Sequence, residues 1–228
     1  MATIEQNLQK VHARIAAACA LAARPVQSVR LLPVSKTFPA SDVRAAHAAG
    51  ERAFGENYVQ EGVDKIAALA DLRGAIEWHL IGPLQSNKTR VVAEHFDWVH
   101  SVDRLKIAER LSDQRPEGLP PLQLCLQVNI SGESTKSGLN PDELPAVART
   151  VAGLPRVRLR GLMAIPESAA GEPAQRVPHA QLRGLFESLR ADGLALDTLS
   201  IGMSADLEAA ILEGSTMVRV GTAVFGAR

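Results

Sequence analysis

Eight short apolar runs, each but the last followed by a helix-like stretch, recur along this chain, and that alternation constrains its fold more than any other feature. Parallel neighbours in a sheet need a crossover, usually a helix, so a strict strand–helix alternation favours a parallel sheet. The spacing predicts strands over 31–35, 52–55, 77–81, 97–101, 122–130, 158–164, 196–201 and 216–220. Helices are expected over 40–49, 57–70, 87–95, 103–112, 141–152, about 178–191, and 204–213. Ile4, Leu8, Val11, Ile15 and Ala18 recur at helical spacing and predict one further helix within 3–23, ahead of the first strand. Eight strands suit a closed barrel better than an open doubly wound sheet, whose Gly-rich turn after the first strand is missing. The expected fold is α/β: a single (β/α)8 TIM-type barrel over residues 1–228 with an extra N-terminal helix. The stretch Pro166–Pro178, rich in Pro, Ala, Gly and Glu, reads as a mobile loop at the active-site end.

Composition narrows the function classes. At 228 residues and 46% apolar content, the chain is long enough for one full core. Lys plus Arg and Asp plus Glu are 25 each, so no charge excess recruits nucleic acid or an anionic membrane. No apolar run reaches the length of a membrane span, and the start Met1-Ala2-Thr3-Ile4-Glu5 lacks the pattern of a signal peptide. Cys19 and Cys125 match no zinc spacing and read as buried reduced thiols of a cytoplasmic protein. The histidines show no metal-ligand spacing.

Lys36 closes the first strand, at the carboxyl end where such barrels place their chemistry. A lysine amine forms a Schiff base with an aldehyde when its surroundings make it nucleophilic. Gly202-Met203-Ser204 follows the seventh strand and Gly221-Thr222 the eighth, the two places where barrels of this kind hold phosphate. An aldehyde and a phosphate together suggest pyridoxal 5′-phosphate (PLP). Ser204 has a second reading as a helix cap, with Asp206 favouring the helix dipole. Arg219, inside an apolar strand, is either one half of a structural ion pair or a donor to a pyridine nitrogen. Asn57 either caps its helix or faces the site. Gln127 and Asn129 share a strand face, His79 reads as a core histidine, Met163 as core filling that also suits a ring, and Lys136 as a solvated loop residue.

The motifs Val34-Ser35-Lys36-Thr37, Phe54-Gly55-Glu56-Asn57-Tyr58 and Trp78-His79-Leu80-Ile81-Gly82-Pro83 come in the order found in one family. Val128-Asn129-Ile130, Lys136-Ser137-Gly138, Gly161-Leu162-Met163, Gly202-Met203-Ser204 and the run from Gly214 to Thr222 continue the match. Together they resemble the pyridoxal phosphate homeostasis proteins, barrels similar to the N-terminal domain of alanine racemase. The resemblance implies that Lys36 is the Schiff-base lysine. It implies that Ser204, Gly221 and Thr222 hold the phosphate, Arg219 meets the pyridine nitrogen, and Asn57 and Met163 flank the ring. Ile201 and Ala205 replace the family's common methionine and aspartate, and neither change removes an expected donor.

Two functional classes follow, a PLP carrier and a PLP-dependent amino-acid racemase. Racemases similar to this barrel draw a second acid–base tyrosine from an added C-terminal β domain, and this sequence stops at Arg228 with Tyr58 as its one tyrosine. The expectation is a carrier that buffers PLP without substantial catalysis, as a monomer or weak dimer. PLP-dependent apo-enzymes are its expected partners. A Schiff-base aldolase would use the same lysine and cup, and would be colourless.

Overall fold

The computed structural model describes residues 2–132, 137–167 and 169–226, so the reading of Lys136 lies outside the described residues. The strands are β1 (Arg30–Pro33), β2 (Ala53–Glu56), β3 (Glu77–Leu80), β4 (Trp98–Val102), β5 (Leu122–Gln127), β6 (Val157–Met163), β7 (Thr198–Ser200) and β8 (Met217–Val220). The helices are α1 (Ile4–Leu21), α2 (Ala40–Ala48), α3 (Val59–Ala68), α4 (Thr89–His95), α5 (Leu105–Gln114), α6 (Leu144–Ala152), α7 (Glu172–Ala191), α8 (Leu207–Leu212) and α9 (Thr222–Phe225). All ladders are parallel, and the sheet runs from β1 through β8, β7, β6, β5, β4 and β3 to β2. The Val34–Gly55 bridge and the Ser35 amide on the Gly55 carbonyl close the ring between β1 and β2. The barrel and its extra N-terminal helix are therefore as the alternation predicts.

Each strand is covered on both faces, which is why it reads as a near-continuous apolar run. Leu31, Phe54, Leu80, Val99, Leu124, Leu126, Leu162 and Val218 point outward into the core shared with the helices. Inside the ring, Leu32, Val34, Ala53, Ile81 and Met217 form one cluster and Trp98, Cys125 and Met163 another. Each fully buried large side chain contributes about 1.5–3 kcal/mol of transfer free energy. Arg160 sits near the amino end of the ring, over Trp98 at 4.8 Å and paired with Asp197 at 2.5 Å.

The helix α1 begins with a capping box between Thr3 and Gln6 and buries Leu8, Val11, Ile15, Ala18 and Cys19. On its other side it reaches the carboxyl end of the chain. Asn7 donates to the Val224 carbonyl at 3.0 Å, and Arg14 makes a bidentate pair with Glu208 at 2.8 Å. Both cysteines are buried and free.

Several boundaries differ from those the spacing predicts. Pro166–Pro178 is not loop throughout, because α7 begins at Glu172, with Pro173 in its first turn and Pro178 inside it. Proline is at home in a first turn, where its missing N–H is an orphan anyway. The deeper proline is carried by the apolar face of His179, Leu182, Phe186 and Leu189, whose burial outweighs one lost hydrogen bond. The helix expected from 204 begins at Leu207. Strand β5 ends at Gln127, and Val128 then makes a single bridge to Leu139.

Candidate functional site

The ladder between β1 and β8 brings the first and last strand ends together. Leu32 pairs with Arg219 and Pro33 with Val220, and the Val34 amide donates to the Val220 carbonyl at 2.9 Å. Lys36 therefore leaves its strand beside the turn that starts at Gly221. A Cβ on Gly221 would lie 3.3 Å from the Val34 carbonyl oxygen, so a larger residue would crowd this seam. Lys36 is half-buried and makes no hydrogen bond or ion pair among the described residues.

The turn after β7 adjoins this seam through the Arg219 amide, which donates to the Gly202 carbonyl at 2.9 Å. Gly202 has φ +93°, and a Cβ there would fall 2.6 Å from the Ala210 side chain, so the turn requires glycine. Asp206 holds the loop from within, accepting the Met203 amide at 2.7 Å and pairing with the buried His179 at 3.0 Å. His179 and the Met203 amide outweigh the burial of the Asp206 carboxyl and hold it below the usual carboxylate range. From outside, Arg14 of α1 donates to the Ser204 carbonyl at 3.0 Å. The Ser204 hydroxyl itself caps nothing. The helix is entered at Asp206, and the Ser204 and Thr222 side chains make no hydrogen bond among the described residues. The helix-cap reading of Ser204 is thus corrected, and both hydroxyls stand uncommitted, one on the turn after β7 and one on the first residue of α9.

Arg219 is 4% exposed and has no carboxylate within ion-pair distance among the described residues, which corrects the ion-pair reading. It donates through Nη1 to the Ser200 carbonyl and to Ser200 Oγ at 2.9 Å, and through Nη2 to the Ala164 carbonyl at 2.9 Å. A guanidinium has five N–H donors, so Nε–H and one Nη2 hydrogen remain for another acceptor. Burial pushes Arg219 down to about 10, which still leaves it charged at neutral pH.

A buried polar chain runs inward from that arginine. Ser200 Oγ meets His100 Nδ1 at 2.8 Å, and His100 Nε2 meets His79 Nδ1 at 2.9 Å. Burial drives His100 down to about 3 and His79 well below its usual range, with Arg219 adding to the shift of His100. Both imidazoles are therefore neutral. Since Ser200 Oγ accepts from Arg219, its proton is best used on His100 Nδ1, and His100 Nε2–H then donates to His79. His79 stacks on Trp98 at 5.1 Å, a core histidine as expected, although its Nε2 has no partner among the described residues. The chain orients the guanidinium from below while both imidazoles carry no charge to repel it.

Asn57 does not cap α3, whose first residue follows Tyr58 without a side-chain cap. Its Oδ1 is buried with no partner among the described residues, an orphan acceptor of the kind a ligand satisfies. Gly82 packs on the Asn57 backbone so tightly that a Cβ would reach its carbonyl at 2.1 Å. Met163 is fully buried with Trp98 and Cys125. Gln127 turns away to the Ser137 carbonyl at 3.0 Å, fastening the loop after β5. A cleft of about 220 Å³ opens there, lined by Ile81, Pro83, Gln127, Asn129 and Ile165 among others.

Sequence spacing does not reveal the contacts that hold these residues. Arg14, Asp206 with His179, and the His100–Ser200 link join residues far apart in the chain. No local spacing signals them. One contact was legible: Glu61 and Lys65 stand four apart on α3, and they pair at 2.7 Å.

The alanine racemase N-terminal domain family model matches residues 6–228. The pyridoxal phosphate homeostasis protein of Pseudomonas aeruginosa is 63% identical over 228 residues, covering 100% of this chain and 97% of the relative. The Escherichia coli protein of that name is 55% identical over 229 residues, with coverages of 100% and 98%. Among solved structures, PipY of Synechococcus elongatus with PLP bound superposes with a TM-score of 0.82 at 42% identity, covering 95% of this chain and all (100%) of that one. An alanine racemase of Clostridium difficile shares the fold, with a TM-score of 0.73 at 12% identity over 88% of this chain and 53% of its own.

Proposed function

This chain belongs to the alanine racemase N-terminal domain family, among its pyridoxal phosphate homeostasis proteins, and from that premise we propose that it binds and buffers PLP on Lys36 without substantial turnover. The residues fit that cofactor. The orphan Oδ1 of Asn57, the uncommitted hydroxyls of Ser204 and Thr222 and the spare N–H groups of Arg219 all belong to turns, strand ends or, for Thr222, the first residue of α9, at one end of the barrel. When bound, PLP supplies an aldehyde for covalent attachment and a ring that withdraws electrons when its nitrogen is protonated. Lys36 supplies the amine. Ser204, Gly221 and Thr222 bind the phosphate, and Asn57 and Met163 flank the ring.

Arg219 donates to the pyridine nitrogen and, being charged, disfavours a proton there. That weakens the ring as an electron sink. The second acid–base group that racemization needs is not poised either. Tyr58 is 58% exposed, and its phenol makes no hydrogen bond among the described residues. A carrier that exchanges PLP with apo-enzymes in the cytoplasm fits this site better than a racemase. Among the described residues, no helix is long and apolar enough to cross a membrane.

The observation that carries this reading is the seam itself: Lys36 leaves β1 beside the turn after β8, whose strand is tied in turn to Gly202. The phosphate assignment has its own test. Ser204→Ala is expected to weaken PLP by about 1.5–3 kcal/mol, the range for a hydrogen bond to a charged group. Pyridoxal, which lacks the phosphate, should bind the variant and the wild type alike in equilibrium titrations. Equal weakening of both ligands would remove Ser204 from the phosphate site.

A further inference from the structure

Both neighbours of Lys36 in the chain are held by carboxylates. Ser35 donates its hydroxyl to Glu56 Oε1 at 2.5 Å, and the Thr37 amide donates to Glu61 Oε1. Lys65 joins the two, its Nζ lying 2.7 Å from each of those oxygens and 2.6 Å from the Ser35 carbonyl. An ammonium has three donors, and these contacts use all of them. Glu56 is 0% exposed and Lys65 6%. Between these anchors Thr37 has φ +66°, a left-handed conformation that a β-branched residue adopts only where its surroundings impose it. The backbone on either side of Lys36 is thus fastened, while the lysine side chain carries no bond of its own among the described residues.

Buried ionic clusters add little net stability over well-packed apolar groups, but they select one geometry. We propose that the Glu56–Lys65–Glu61 cluster is a positioning device for Lys36, holding the corner from which its amine reaches the PLP aldehyde. This rests on the reading of Lys36 as the PLP-bearing lysine. Formation of that link replaces the aldehyde oxygen by the lysine nitrogen and releases it as water, so its rate depends on where the amine is held.

The test uses two ligands, PLP and pyridoxine 5′-phosphate. The second has the same ring and phosphate but a hydroxymethyl group in place of the aldehyde. Glu61→Ala removes the acceptor of the Thr37 amide at a half-buried position. It is expected to bind pyridoxine 5′-phosphate as the wild type does, and to form the covalent link with PLP at least about tenfold more slowly, as measured by stopped-flow absorbance. Glu61→Gln keeps an oxygen acceptor and should restore most of the rate. A wild-type rate in Glu61→Ala, or an equal loss for both ligands, would overturn the positioning role. If Glu61→Ala does not fold, Glu61→Asp, whose shorter side chain withdraws the acceptor, takes its place, with the same rate expected and the same two results overturning the role. Borohydride reduction and peptide mapping of the wild type separate the positioning role from its premise. An adduct away from Lys36 overturns the Lys36 assignment, whereas an adduct on Lys36 with an unaffected rate in Glu61→Ala overturns only the positioning device.

Discussion

Lys36→Ala is expected to fold normally and to lose covalent attachment of PLP, its rate falling at least about 100-fold. The side chain is half-buried and bonded to nothing among the described residues, so its truncation should change stability by no more than about 0.5 kcal/mol. What it removes is the amine held at the seam between β1 and β8. The nearby amine of Lys65 is no ready substitute, since Ser35, Glu56 and Glu61 occupy all its donors. The turns at Gly202 and Gly221 are untouched, so reversible binding should persist. Borohydride trapping followed by mass spectrometry reads the result, with the wild-type adduct on Lys36. An adduct mainly on another lysine in the wild type would remove Lys36 from its role.

Lys65→Met, unlike Lys36→Ala, is expected to lose stability. Glu56 is fully buried, and burial is the largest influence on it, raising its pKa against the opposing pull of Lys65. Removing the cation leaves a buried carboxylate with Ser35 as its remaining partner, at a cost of about 3–5 kcal/mol. The cost should depend on pH. In the variant, the folded state holds a proton on Glu56 at pH values where the unfolded chain has released it. Stability then falls as pH rises above the ordinary carboxylate range and is regained as pH drops toward it. Urea denaturation at two pH values checks this, and a pH-independent deficit would place the loss elsewhere than on Glu56.

The sequence carried the barrel because its signal is periodic. Strands covered on both faces are apolar throughout, and amphipathic helices separate them at regular intervals. It carried Lys36 and the turns at Gly202 and Gly221 because their type and their place at strand ends coincide. The start of α7 was hidden because proline and glycine are local loop signals, whereas the buried face of His179, Leu182 and Phe186 is a tertiary one. Glu56 stood in the open as part of a motif, yet its partner Lys65 lies on the following helix and Ser35 just beyond the preceding strand. Charges paired across elements have no sequence period, and so the contacts that hold the candidate residues were illegible, whereas the candidates themselves stand out by type and place. Arg219 shows the intermediate case. Its burial was predictable from its strand, but the carbonyls of Ser200 and Ala164 that satisfy it come from β7 and the residue after β6.

A barrel that holds PLP on Lys36 as a carrier, with Arg219 denying the ring its proton and no second acid–base residue poised among the described residues, should leave the α-carbon of amino acids untouched. The direct measurement is exchange of the α-hydrogen of amino acids for deuterium on the PLP-loaded wild-type protein, followed by NMR and chiral analysis across the common amino acids. A carrier shows no exchange or inversion above that of Lys36→Ala, together with transfer of PLP to an apo-enzyme. Robust turnover that disappears in Lys36→Ala would contradict the carrier reading and make the protein an enzyme.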